Sequence, residues 1–238
     1  MSNLLANTIN GKTLFTGIKM IVCDMAGTTI NEGGLVYKTL YDTMKNFNLD
    51  VKKADINYWH GANKYEVLEH YLRISTKLRG TKYQTIKHNL FEQFDNNLKS
   101  VYFSSSNIHL INDNLPVLFN GLRESGIKIA LNTGYNKDIQ STIIQKLHMN
   151  EFIDDYISSE EVPQGRPYPY MIESLIDRND ILNSRSVIKI GDSKNDILEG
   201  INAKCRTSIA VLSGADEIDT LGMYTVDIME NIMSLELI

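Results

Sequence analysis

Certain residues of this 238-residue chain have the types and spacing that phosphoryl chemistry requires. Asp24 follows the apolar run Ile18–Cys23 (IKMIVC), and Thr133 and Gly134 come just after Ile127–Leu131. Arg166 stands in Gly165-Arg166-Pro167. Gly191-Asp192-Ser193-Lys194-Asn195-Asp196 follows the run Ser186–Ile190. A carboxylate such as Asp24 can attack phosphorus and form an acyl phosphate. Asp24 and Asp192 together could hold Mg²⁺, a hard cation that takes oxygen ligands and keeps several waters. Asp196 could complete or orient that shell. Thr133 and the backbone N–H groups around Gly134 could hold phosphoryl oxygens at a helix N-terminus. Arg166 could neutralise developing negative charge. Each residue also has an ordinary reading. An Asp after a strand is commonly a turn or cap residue, and Asp196 is a natural helix N-cap. Thr133-Gly134 alone is a plain turn, and Arg166 alone a solvated loop charge. Their shared position after apolar runs favours reading them as one set.

The elements that must position them follow from periodicity. Ile18–Cys23, Ile127–Leu131, Tyr156–Ser158, Ser186–Ile190 and Ser208–Leu212 read as strands. Helices are predicted at 117–124, 138–147, 170–176, 196–203 and 227–235. Strands alternating with helices imply an α/β fold with a doubly wound parallel sheet, which binds ligands outside the carboxyl ends of its strands. Between Leu35 and Ser104 the rhythm is helical throughout, with Tyr37, Leu40, Tyr41 and Met44 on one spacing and Val67, Leu68, Tyr71 and Leu72 on another. The chain therefore divides into a core, 1–34 and 105–238, and an inserted helical domain, 35–104.

Composition bounds the rest. Hydrophobic residues make up 42% and charged residues 22%, an ordinary globular balance. The net charge of -5 and the lack of a basic stripe argue against a nucleic-acid surface. An anionic substrate then needs positive charge concentrated locally, from a metal ion or a few basic residues. The two cysteines, Cys23 and Cys205, make no disulfide framework, so a reduced cytoplasmic compartment is the expectation. Met1–Phe15 reads poorly as a signal peptide. No apolar run approaches the roughly 20 residues that span a membrane.

The four motifs together resemble those of the haloacid dehalogenase (HAD) superfamily of aspartate-nucleophile hydrolases. Asp24-Met25-Ala26-Gly27-Thr28-Thr29 resembles its first motif and Asn132-Thr133-Gly134-Tyr135 its second. Gly165-Arg166-Pro167 resembles the third and Gly191–Asp196 the fourth. The resemblance implies a Rossmann-like core, an α-helical cap inserted after the first motif, Mg²⁺ as cofactor, and a small phosphorylated or phosphonate substrate. The metal set it implies is Asp24, the backbone carbonyl of Ala26, Asp192 and Asp196. Within the superfamily the phosphonatase branch is the most similar. Most HAD phosphatases carry a second Asp where this chain has Ala26, and Lys where it has Arg166; phosphonatases have Ala and Arg. Trp59-His60-Gly61-Ala62-Asn63-Lys64 resembles the segment bearing the phosphonatase lysine that forms a Schiff base with an aldehyde. Gly61 and Lys64 match its spacing, while His60 replaces a Met. Related phosphonatases pair through the cap, so the resemblance admits a homodimer.

Ala26 cannot donate a proton to a departing alkoxide. Cleaving a C–P bond instead expels a carbanion, for which an imine on Lys64 would be the electron sink. That chemistry needs an amine partly neutral near pH 7, through burial or a neighbouring cation such as His60. On this reading Asp24, Lys64, Arg166 and Thr133 are catalytic, and His60, Gly61, Gly134 and Tyr135 join them in binding substrate. One alternative is a phosphomonoesterase of phosphoglycolate-phosphatase type, in which Lys64 and His60 bind the substrate. The other is a non-catalytic phosphometabolite-binding module.

Overall fold

The structure, a computed structural model, describes residues 8–9, 12–13, 16–104, 108–225 and 227–235. At the N-terminal end, β1 (Thr8–Ile9) and β2 (Lys12–Thr13) form a short antiparallel pair. The main sheet is built from β3 (Met20–Asp24), β6 (Lys128–Thr133), β7 (Asp155–Ser158), β8 (Val187–Gly191), β9 (Thr207–Val211) and β10 (Ile228–Met229). These six strands are parallel, in the order β10-β9-β8-β3-β6-β7. β3 lies in the interior of the sheet with all five residues buried, which explains its unbroken apolar run. Side chains alternate between the faces. Ile21, Cys23, Ile129, Leu131, Ile188 and Ile190 enter one apolar cluster, while Met20, Val22 and Ala130 pack with Met171, Ile172 and Leu175 on the other side.

Helices α4 (Leu115–Glu124), α5 (Lys137–Lys146), α6 (Tyr170–Arg178) and α7 (Lys194–Asn202) connect these strands, and α8 (Ile218–Leu221) follows β9. Three helices lie in the segment after β3: α1 (Leu35–Asn46), α2 (Lys64–Ser75) and α3 (Gly80–Ser104). They pack on one another, and a 3-10 turn (Lys53–Trp59) lies between α1 and α2. The chain leaves for this segment and returns through an antiparallel pair, β4 (Ile30–Asn31) with β5 (His109–Leu110). That pair is too short to carry a period-2 signal, and the sequence reading missed it. The proposed boundary at 104/105 abuts residues 105–107, which lie outside the described residues, as does most of the Met1–Phe15 segment.

Two expectations are corrected. Residues 227–235 form no helix. Ile228 and Met229 pair with Ala210 and Val211 at the sheet edge, and a 3-10 turn at Ile232–Ser234 follows. The Asn231 side chain accepts from Met233 N, a cap that starts a short turn where the apolar spacing suggested a continuous helix. Asp196 is not the N-cap of α7. Ser193 takes that place, its hydroxyl oxygen facing the Asp196 amide, so Asp196 lies in the first turn with its side chain turned inward. Cys23 and Cys205 are free and buried, and burial pushes both thiols up to about 12.

Candidate active site

The parallel register brings the chemical residues to one rim. Asp24 ends β3 opposite Asn132 of β6, and Thr133 is the next residue of β6. Asp192 directly follows β8, the other neighbour of β3. Two glycines make room for the Asp192 carboxylate: a Cβ on Gly27 or Gly214 would collide with it, and Gly27 also holds a φ of +83°. Asp192 Oδ2 accepts from Ala215 N at 2.6 Å.

Arg166 organises the floor. Its Nη1 donates to Asp24 Oδ1 at 2.6 Å and lies 3.0 Å from Asp196 Oδ1. Its Nε donates to Glu199 Oε2 at 3.0 Å, and Nη2 donates to the backbone oxygen of Asn132 at 2.8 Å. This planar fork is used on every side, a role that Lys could not fill. Burial works against its charge, but Asp196, Asp24 and Glu199 outweigh that and hold its pKa above the usual range. Lys189, fully buried on β8, lies 2.8 Å from Asp196 Oδ1 and donates to Asn132 Oδ1 at 2.9 Å. Asn132 in turn donates to both Glu199 oxygens at 2.9 Å.

The donor set fits a hard divalent cation. Ligand oxygens of Asp24, Asp192 and Asp196 lie within 4.8 Å of one another, all three residues buried. With Glu199 they make four buried carboxylates, against Arg166 and Lys189 as the cations paired with them. The excess is negative and is felt most at Asp192. Burial, then Asp24 and Asp196, push its carboxyl well above the usual range. Asp24 is also raised, by burial first, with Arg166 opposing. Asp196 is held below the usual range: burial raises it, but Arg166 and Lys189 prevail. An oxygen-only set with surplus negative charge suits Mg²⁺. Asp24 and Asp192 are its fitting direct ligands. Asp196 already has Oδ1 beside two cations and Oδ2 accepting from Ser193 Oγ at 2.5 Å, so it is placed to orient the group. Ala26 borders the same space.

The segment before α2 closes over this floor. After the 3-10 turn, Gly61 reverses the chain at a φ of +72°, packed so tightly on Ser193 and Asn195 that a Cβ has no room. Asn63 caps α2 by accepting from Tyr65 N and Glu66 N, and its Nδ2 donates to Ser159 Oγ at 2.9 Å. A Cβ on Gly134 would lie 2.7 Å from the oxygen of Ala62, so only glycine permits this approach. Lys64 thereby shares a narrow cavity with Asp24, Thr133, Gly134, Tyr135 and Arg166. It is 4% exposed, donates to the Ala62 oxygen at 2.8 Å, and stands 4.8 Å over the Tyr37 ring. Burial lowers its amine to about 8, with Asp24 opposing. His60 borders an adjoining cavity of about 330 Å³ with Ala26, Gly27, Tyr37 and Asp192. Its Nδ1 is 2.8 Å from Asp216 Oδ1, and Asn195 Nδ2 donates to its carbonyl at 2.6 Å.

All the residues singled out in the sequence therefore line one site or its immediate margin. Sequence reasoning missed Lys189, Glu199, Tyr37 and Asp216. Lys189 did leave a signal: a lone charge between Ile188 and Ile190 in a buried strand requires a buried partner. Among the described residues no helix is long and apolar enough to cross a membrane.

Comparison with known proteins bears on the family and the fold. A phosphonoacetaldehyde hydrolase of Bacillus mycoides (strain KBAB4) is 29% identical over 233 aligned positions, covering 92% of this chain and 84% of the relative. Among solved structures, a beta-phosphoglucomutase from Clostridium difficile superposes with a TM-score of 0.76 at 16% identity, over 92% of this chain and 93% of that one. A phosphonoacetaldehyde hydrolase-like protein from Oleispira antarctica gives a TM-score of 0.74 at 19% identity, over 92% and 90%. The family model for haloacid dehalogenase-like hydrolases matches residues 21–211, from the strand that ends in Asp24 through the last residue of β9. This chain belongs to the haloacid dehalogenase-like hydrolase family, and it is an enzyme of that hydrolytic class.

Proposed function

We propose that this chain is a Mg²⁺-dependent phosphonatase-like hydrolase that forms an aspartyl-phosphate on Asp24 and an imine on Lys64. The observation that carries this reading is Lys64 itself. It is a buried amine, depressed to about 8, in one cavity with the nucleophile and Arg166. A neutral amine beside a phosphoryl site has a use in attacking an aldehyde, and burial is what keeps it neutral. The relatives named phosphonoacetaldehyde hydrolase supply the substrate class.

When bound at Asp24 and Asp192, with the Ala26 carbonyl and Asp196 beside them, Mg²⁺ would neutralise oxygens of the transferring phosphoryl group. The protein's own groups do the rest. Lys64 adds to the aldehyde carbon, and loss of water gives the imine. Asp24 attacks phosphorus while Arg166 fixes its carboxylate, and Thr133 with the amides of Gly134 and Tyr135 holds phosphoryl oxygens. The C–P bond pair moves into the carbon framework, with the imine nitrogen as sink, leaving an enamine. Protonation at carbon and hydrolysis release the aldehyde product, and water cleaves the acyl phosphate. Residues 35–104 act as the cap in this scheme, with core segments 1–34 and 105–238, and the His60–Lys64 segment excludes water.

A second reading, a phosphomonoesterase, draws on His60 and its bond to Asp216, since a monoester needs a proton for its leaving oxygen. Borohydride separates the two. Incubation with phosphonoacetaldehyde and borohydride should place a reduced adduct on the peptide containing Lys64. Phosphate release without any Lys64 adduct would favour the monoesterase.

A further inference from the structure

Whatever bond this site breaks, the last step of the proposed reaction is attack of water on an acyl phosphate, and that water must lose a proton. Of the groups lining the inner cavity, Lys64 is taken up by the substrate carbon in the proposed reaction, and the others are poorly suited to accept it. Ala26 has no proton-carrying side chain, Arg166 is fully engaged, and Asp24 is the group being released. Asp192 and Asp196 belong to the cation site. His60 is different. Its ring is held from two sides, by Asp216 at 2.8 Å and by the Tyr37 ring, whose centroid lies 4.7 Å away. Asp216 is itself fixed, since its Oδ2 accepts from Lys194 N at 2.8 Å in the first turn of α7. A carboxylate only accepts hydrogen bonds, so this contact puts the imidazole proton on Nδ1 and leaves the Nε2 lone pair free to act as a base. Among the described residues no hydrogen bond occupies Nε2, and the ring borders the 330 Å³ cavity shared with Ala26 and Asp192.

We propose that His60 is the proton carrier of this site and that Asp216 is the positioning residue that sets its tautomer and orientation. The proposal rests on the reading in which Asp24 becomes phosphorylated. As the water oxygen bonds to phosphorus, the bond from phosphorus to Asp24 breaks and its electron pair returns to the carboxylate. The water proton passes to His60 Nε2, and Asp216 stabilises the imidazolium. That proton later leaves to bulk water or to the departing atom of the next substrate. The parts are a His oriented by an Asp on the margin of the site, an arrangement in which the carboxylate sets the tautomer.

Acetyl phosphate with Mg²⁺ is the probe, because its leaving group needs no acid. The experiment is rapid quench with ³²P-labelled acetyl phosphate on wild type, His60→Ala, Asp216→Asn and the double variant. In the first two variants labelled enzyme should accumulate, with dephosphorylation slowed by about 10²-fold for His60→Ala. Asp216→Asn should slow the same step with little change in KM. The double variant should be no slower than His60→Ala, since the two side chains act as one unit. Free imidazole should restore dephosphorylation of His60→Ala, which a purely structural role of His60 would not allow. Unchanged dephosphorylation in folded His60→Ala, or additive losses in the double variant, would overturn the proposal. If wild type takes up no label on Asp24, the reading of the reaction itself fails, and this proposal with it.

Discussion

The floor of the site and the segment that closes over it are built on different principles. On the floor, Arg166, Lys189, Asn132, Asp196 and Glu199 bond to one another with both charge signs represented and all side chains buried. Over it, Lys64 is tied to a carbonyl two residues away, and His60 to one carboxylate. A mutually saturated network is preorganised and has no freedom to adapt. Lys64, with one hydrogen bond to a neighbouring carbonyl and the Tyr37 ring beside it, keeps donor capacity that a substrate can use. The floor is thus suited to the phosphoryl step, and the segment His60–Lys64 to choosing what carries the phosphoryl group. α7 links the two, because its first turn supplies Asp196 to the floor and Lys194 and Asn195 to the network around His60.

Breaking the floor should have the largest effect. Asp24→Asn should cost at least about 10⁴-fold in kcat, as loss of a nucleophile does, while its thermal unfolding midpoint stays close to wild type. Appreciable residual phosphate release would remove Asp24 from that role. Lys189→Met should act through stability. It leaves Asp196 and Glu199 short of a buried partner, which costs about 3–5 kcal/mol in urea unfolding. A loss under about 1 kcal/mol would mean that the network relaxes far more than a preorganised floor should.

Changes in the closing segment should separate substrates. Lys64→Arg keeps a charge but cannot form an imine. It should abolish release from an aldehyde phosphonate yet reduce release from small monoesters by only about tenfold, a binding-sized effect. Equal losses on both substrate types would erase the distinction between floor and cap. pH gives a smaller, graded effect. The Lys64 amine is lowered to about 8, so its nucleophilic neutral form falls tenfold per unit below that. Borohydride trapping should rise with pH up to about 8 and then level off. Mg²⁺ affinity should weaken as pH falls, with binding accompanied by proton release, because the Asp192 carboxyl is raised by burial and by Asp24 and Asp196, and a ligand must be ionised. Proton uptake in a calorimetric titration would contradict that.

Much of this was legible in the sequence because parallel strands end where they act. The apolar runs located β3, β6, β8 and β9 to within two residues, and each residue just beyond them proved to lie at the rim. The helical segment was legible from its period. What the sequence hid depends on pairing across long separations. Lys189 and Glu199 look like an odd strand lysine and a helix-surface acid until Asn132 and Arg166 are brought between them. Asp216 lies 156 residues from His60 and gives no local sign of the contact. The β4–β5 stem and β10 are two-residue strands whose existence is set by their partners, not by their own composition.

The central claim, a phosphoryl floor closed by an imine-forming lysine, is tested most directly by phosphate release with Mg²⁺. Phosphonoacetaldehyde would be compared with a panel of small phosphomonoesters at equal concentration. The account predicts rapid release from the aldehyde and little from the monoesters. Release from monoesters alone would contradict it and make Lys64 a binding residue.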